Sequence, residues 1–165
     1  MRIIGIDPGY ALVGYGIIDV VGNTLKPVKY GCIKTEAKTN FYSRMIKINT
    51  ELKELLKEFN PTAMGIEKLF FSRNTTTALD VAQVRGAIIQ EGLNCGLEIY
   101  EYTPNEVKIA VTGYGKADKQ QIQQMVKNLL HLTEIPKPDD TADALAIAIC
   151  HNNSYRIKGL ERINV

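Results

Sequence analysis

"GIDPGYALVGYGIID", residues 5–19, places a lone aspartate, Asp7, at the end of an apolar run and then turns at once through Pro8 and Gly9. Ile3, Ile4 and Ile6 precede it. An unbroken apolar run of this kind reads as a strand buried on both faces. A carboxylate ending such a strand is costly unless something pairs with it. What pairs with Asp7 therefore bears on the fold and on the chemistry.

Working outward, residues 2–7, 12–20 and 25–34 read as a three-strand meander, with "VVGNTLKP" supplying the turn between the second and third. Phe41, Met45, Ile48, Leu52, Leu55, Leu56 and Phe59 then recur at helical spacing, and Asn60-Pro61 ends that helix. "TAMGIEKLF" reads as a fourth strand ending near Glu67, and residues 76–93 as a helix. "LEIYEY" follows as a fifth strand, then a short helix over 104–112 and the loop "TGYGKAD". Ile122, Met125, Val126, Leu129 and Leu130 mark the next helix; "IPKPDD" breaks the chain, and "TADALAIAIC" forms the last helix. The order predicts a single α/β domain over residues 1–153, a mixed sheet flanked by helices, with 154–165 a flexible basic tail. In such sheets sites gather at strand ends and the loops beside them.

Composition narrows the class. The chain has 165 residues, 45% hydrophobic and 23% charged, as in an ordinary soluble domain. No run approaches the ~18 apolar residues of a membrane span, and "MRIIGIDPG" enters a strand without a signal peptide's cleavage region. These features predict a cytoplasmic protein with no membrane partner. Cys32, Cys95 and Cys150 are odd in number and far apart, so they read as small core residues, not as a disulfide framework or zinc site. The net charge of +2 neither demands nor excludes nucleic acid.

Two carboxylates end apolar strands, Asp7 and Glu67, and two more, Asp140 and Asp143, stand three apart where the last helix begins. That spacing puts the second pair on one helix face. Each acid also has a local explanation. Asp140 suits an N-cap and Asp143 the helix dipole; Asp7 suits a turn that bonds its own backbone; Glu67 could pair with Lys68. If the first and fourth strands are neighbours and the last helix crosses their ends, the four acids meet. Two like charges ~4 Å apart repel by about 4 kcal/mol at an effective dielectric of ~20, so a meeting of four calls for raised pKa values or cations. An all-oxygen set suits magnesium or manganese, whereas zinc would want His or Cys. Acids from separate elements suit a two-metal site, which clamps the attacking and leaving oxygens of a phosphodiester.

"GIDPG" on a first strand, "IEKLFFSRN" on a fourth and "DDTADALAIAICH" on a last helix together resemble the RuvC family of bacterial Holliday-junction endonucleases, within the ribonuclease H-like superfamily. The likeness runs in order from about residue 1 to residue 153. It implies a ribonuclease H-like five-stranded mixed sheet. It also implies metal-dependent hydrolysis of four-way DNA junctions, by paired symmetric cuts that leave 5′-phosphate and 3′-hydroxyl ends, in recombination and repair. On this resemblance Asp7, Glu67, Asp140 and Asp143 are the metal ligands, for two Mg2+ ions or Mn2+ in their place; Asp139 is a nearby spare acid. Lys108 and Lys119 match lysines beside the scissile phosphate, and Lys119 is placed to stabilise charge on the transferring phosphoryl group. Phe70 matches an aromatic that stacks on a base near the branch point, a contact worth about 1–3 kcal/mol. Arg73, Arg85 and Lys116 are candidates for phosphate-backbone contact.

Two symmetric cuts call for a twofold homodimer. Ala78, Ala82 and Gly86 form a small-residue stripe on the second helix, suited to close approach by the sheet or by a second subunit; the sequence leaves that choice open. The resemblance further implies a RuvA–RuvB branch-migration complex as partner. Three other readings compete. A ribonuclease H-like nuclease acting on RNA or an RNA–DNA hybrid would share the metals and the chemistry. An actin-like ATPase is suggested by "GIDPG" alone but needs a second domain, and "GYGKAD" is no Walker A loop. A non-catalytic junction-binding protein would use the four acids as caps.

Overall fold

Strand β1 (Arg2–Asp7) is built by alternation. Ile4 and Ile6 point to one face of the sheet and Ile3, Gly5 and Asp7 to the other. In the computed structural model, which describes residues 1–69 and 75–155, both faces of this strand are covered by helices. β2 (Leu12–Val21) and β3 (Thr24–Lys34) continue the chain as an antiparallel meander. Helix α1 (Phe41–Phe59) then crosses over to β4 (Ala63–Glu67), and α2 (Thr75–Asn94) to β5 (Glu98–Tyr102). The sheet order is β3-β2-β1-β4-β5, with β4 parallel to both β1 and β5. Helices α3 (Pro104–Thr112), α4 (Lys119–Leu129) and α5 (Asp139–Tyr155) complete the described chain. The five strands, their order and the flanking helices agree with the architecture read from the sequence.

Two apolar layers result. Ile48, Leu52 and Leu56 of α1 and Val84 and Ile88 of α2 cover Ile4, Ile6, Met64, Ile66 and Ile99. On the opposite face α5 lies directly against the sheet, with α3 and α4 packed beside it. Gly16, Gly5 and Gly65 stand in register across β2, β1 and β4, a floor without side chains. A Cβ on Gly5 would collide with the Ala144 carbonyl; on Gly16 it would lie 2.6 Å from Leu145 Cδ2, and on Gly65 3.0 Å from Ile147 Cγ2. The missing side chains let α5 sink onto the strands, so Ala144 to Cys150 are all at most 2% exposed. This is why "ALAIAIC" is apolar on every side.

The N-terminal end of α5 is held by a 3.2 Å contact between Thr141 Oγ1 and Cys32 Sγ on β3. Its other end is held by a buried hydrogen bond of 2.7 Å between His151 Nδ1 and the Tyr102 hydroxyl. The helix runs on to Tyr155; residues 156–165, most of the expected tail, lie outside the described residues. One expectation about the core is corrected. Cys150 is buried and Cys32 half-buried, but Cys95 is exposed. It sits in the surface turn after α2, where Gly96 takes a φ of 76° to lead the chain into β5.

Candidate active site

Because β1 and β4 are parallel neighbours with Ile6 opposite Ile66, the residues one step on, Asp7 and Glu67, end side by side. Alternation turns both toward the face covered by α5. Gly14 pairs with Asp7 across β1 and β2, and a Cβ at Gly14 would collide with the Asp140 carbonyl, so the first turn of α5 passes over that end of the sheet. Four acids from three separate elements thereby gather at one end of the sheet, near enough for Glu67, Asp143 and Asp140 each to act on Asp7.

Their electrostatics record the crowding. Burial, reinforced by the charges of Glu67, Asp143 and Asp140 and by a hydrogen bond to Glu67, pushes the Asp7 carboxyl up to about 8. Burial also raises Glu67, although its hydrogen bond with Asp7 works the other way. Asp143 is raised by burial despite the opposing influence of Lys119. Without a cation, Asp7 therefore holds a proton at neutral pH and donates it to Glu67. Among the described residues no three acids close into a finished metal cage; Asp143 Oδ2 instead approaches Lys119 Nζ at 3.4 Å. The donor set, all oxygen and short of positive charge, fits a hard divalent ion, which would replace the shared proton.

Helix α4 places the lysine. Asp118 caps it with a reciprocal box: its side chain accepts from the Gln121 amide at 2.9 Å, and the Gln121 side chain accepts from the Asp118 amide at 2.9 Å. Lys119 is then the first helical residue, where the helix dipole disfavours a cation. Its Nζ turns to anions on α5, 3.1 Å from Asp139 Oδ2 as well as 3.4 Å from Asp143. Gln123 Nε2 donates to Asp139 Oδ1 at 3.0 Å. Desolvation lowers the Lys119 pKa, but the bonds and charges of Asp139 and Asp143 outweigh it and the net shift is upward. Glu67, Lys108, Lys119 and Asp143 share a cleft of about 280 Å³ whose apolar lining includes Val107, Ile122 and Ile147.

The other expected residues divide. Lys116 is exposed in the loop between α3 and α4. Arg85 lies on the opposite side of the sheet end. Its Nε donates to the Glu67 carbonyl at 3.0 Å and its guanidinium pairs with Glu101, so it braces the strand that carries Glu67. Phe70 and Arg73 lie outside the described residues. On α2, Val84 and Ile88 face the core, while Gly86 is exposed with nothing within 4 Å of a Cβ built there. The small-residue stripe is therefore not packed on the sheet at Gly86. Sequence reasoning missed the glycine floor, although Gly5, Gly16 and Gly65 were visible as interruptions of apolar strands. It also missed the part Asp139 plays as partner of Lys119, which carries no sequence signal beyond an extra acid.

The comparisons with known proteins accord with this geometry. The family model for crossover junction endodeoxyribonuclease RuvC matches residues 3–151. The crossover junction endodeoxyribonuclease RuvC of Desulfitobacterium hafniense is 56% identical over 157 residues, covering 95% of each chain; that of Halothermothrix orenii is 52% identical over the same length and coverage. The structure of Thermus thermophilus RuvC in complex with a Holliday junction substrate superposes with a TM-score of 0.93 at 33% identity, covering 99% of both chains. With the fold and the match over nearly the whole length in agreement, the chain belongs to the RuvC family of crossover junction endodeoxyribonucleases.

Proposed function

We propose that this chain resolves four-way DNA junctions by paired, symmetric, metal-dependent hydrolysis, with Asp7, Glu67, Asp140 and Asp143 holding two divalent ions. The observation that carries the reading is the convergence of Asp7 and Glu67, at the ends of the neighbouring parallel strands β1 and β4, under the first turn of α5, where burial and mutual charge raise both carboxyls. An acid pair that must be neutralised in the metal-free protein is a place where a divalent cation gains most. Bound among these four carboxylates, magnesium or manganese supplies activation of a water and neutralisation of the phosphodiester.

The chain's own residues do the rest. Lys119, held over the cleft by Asp139, faces the negative charge that builds on the phosphoryl oxygens. Lys108 lines the cleft beside it and positions the same phosphate. Val107, Ile122 and Ile147 restrict water there, which strengthens each charge interaction. The products are a 5′-phosphate and a 3′-hydroxyl. Arg85, engaged on Glu67 and Glu101, serves the site by bracing the strand and not by reaching a phosphate.

One such site cuts one strand, so two cuts require two copies. The Ala78–Gly86 stripe on α2, half-buried at Ala78 and Ala82 and open at Gly86, offers a surface for close approach of a second copy. Family membership supports work alongside the RuvA–RuvB complex.

The deciding experiment is cleavage of end-labelled four-way junctions, with linear duplex and an RNA–DNA hybrid as controls, in magnesium and in chelator. Paired nicks on the junction alone, lost with chelator and with Asp7→Asn, support the reading. Cutting of the hybrid instead overturns the substrate, and binding without cutting in any metal overturns the mechanism.

A further inference from the structure

Arg44 is charged, only 5% exposed, and forms no ion pair among the described residues. It also sits near the N-terminal end of α1, where the helix dipole opposes a cation and no acidic residue occupies the first turn. A buried guanidinium without a counter-charge is a conflict between local electrostatics and the fold, and such conflicts gather where function requires them.

What Arg44 touches indicates the requirement. Its guanidinium lies 4.4 Å from the centre of the Tyr10 ring, which is also stacked on Phe41 with centroids 6.0 Å apart. Arg44 donates to Thr35 Oγ1 at 3.1 Å and to the Thr39 carbonyl at 3.3 Å. Thr35 in turn reaches the turn between β1 and β2: its hydroxyl lies 3.2 Å from the carbonyls of both Tyr10 and Ala11, and its amide donates to Ala11 at 3.0 Å. Tyr10 and Ala11 are thus held by a ring contact from α1 and by hydrogen bonds from the end of β3. Only Pro8 and Gly9 separate them from Asp7, and the turn is tight enough that a Cβ on Gly9 would collide with the Leu12 carbonyl. Pro8 is buried, Gly9 and Tyr10 are half-buried and Ala11 is exposed, and Phe41 beneath Tyr10 packs against the core under α1, so these contacts tie the turn to that core and fix where β1 ends.

We infer that Arg44 is a positioning residue, which acts through Tyr10 and Thr35 to hold the β1–β2 turn and with it the Asp7 carboxylate in the geometry that accepts a divalent ion. This rests on the reading of Asp7 as a metal ligand.

The test compares wild type with Arg44→Met, Tyr10→Ala, the double variant and Tyr10→Phe. Two quantities are read: the magnesium concentration for half-maximal single-turnover junction cleavage, and the rise in Tm that manganese produces without DNA. Arg44→Met and Tyr10→Ala should each raise the magnesium requirement about fivefold or more and shrink the manganese shift. The double variant should be no worse than the worse single, because both break one contact. Tyr10→Phe keeps the ring under the guanidinium and should restore wild-type values. Loss of Tm with an unchanged metal requirement would make Arg44 a stabiliser only and overturn the inference. Should Arg44→Met fail to fold, Tyr10→Ala against Tyr10→Phe decides by the same readouts. If manganese leaves the wild type unshifted and Asp7→Asn cleaves normally, the metal reading itself falls and this inference with it. Loss of cleavage in Asp7→Asn and a manganese shift in the wild type, beside unaltered Arg44 and Tyr10 variants, sink the inference alone.

Discussion

The Asp7 carboxyl donates a hydrogen bond to Glu67 from the end of a neighbouring parallel strand, one residue beyond the Ile6–Ile66 pair. Burial and three nearby negative charges hold Asp7 at about 8, against an ordinary value of 3.8. In the unfolded chain Asp7 loses its proton near the ordinary value, whereas in the fold it keeps it to about 8. The stabilisation from the bound proton is therefore complete below the ordinary value and is lost as pH rises toward 8. Metal-free protein should show a Tm that declines across this window, and Asp7→Asn should flatten the profile. A wild-type Tm independent of pH in chelator would contradict the shared proton.

A divalent ion should reverse that decline. Added manganese should raise Tm most at the upper end of the window, where no proton competes, by an amount that grows with ion concentration. Asp7→Asn and Asp143→Asn should each lose most of the rise, read by thermal denaturation without DNA. An equal rise in the variants would place the ion elsewhere.

Lys119 and Asp139 separate chemistry from support. Lys119→Met should lower single-turnover cleavage about a hundredfold, the scale of losing one donor to developing charge, with junction affinity nearly kept. Asp139→Ala removes an exposed partner and should change cleavage by less than about tenfold. Comparable losses in both would mean that Lys119 acts only when held by Asp139.

The glycine floor is open to a paired substitution. Gly5→Ala drives a Cβ into the Ala144 backbone and should destabilise by about 1–3 kcal/mol or more. Gly86→Ala meets nothing within 4 Å and should stabilise its helix by about 0.5–1 kcal/mol. Denaturant unfolding at low protein concentration reads both. A neutral Gly5→Ala would show that α5 is free to lift from the strands.

Arg85→Met tests the assignment of that arginine to the fold. Losing its bonds to the Glu67 carbonyl and Glu101 should cost about 1–3 kcal/mol of stability. The salt dependence of junction binding should stay as in wild type, since no phosphate contact is removed. A shallower salt slope would return Arg85 to the DNA-contacting residues.

Much of this was legible in the chain alone. Ile3 to Ile6 announce a strand buried on both faces, and the turn at Pro8-Gly9 leaves Asp7 at its end. The stripe from Phe41 to Phe59 marks α1, with Asn60 closing it in a left-handed conformation. Asp140 and Asp143 share a helix face at any helical geometry. These are local matters, set by alternation, helical periodicity and the steric demands of turns.

Which acids meet was a question of another kind. Asp7 and Glu67 are adjacent because β4 pairs with β1, and Asp140 reaches them because Gly5, Gly14, Gly16 and Gly65 let α5 lie against the strands. Arg85 is equally basic whether it braces a strand or meets a phosphate, and Arg44 resembles any surface arginine until Tyr10 and Thr35 close around it. By itself the sequence determined the elements, their order and the chemical character of the acids. Only the tertiary structure decided their meeting, their shared proton and the partners of each base, because pKa and charge pairing depend on distances between residues far apart in the chain.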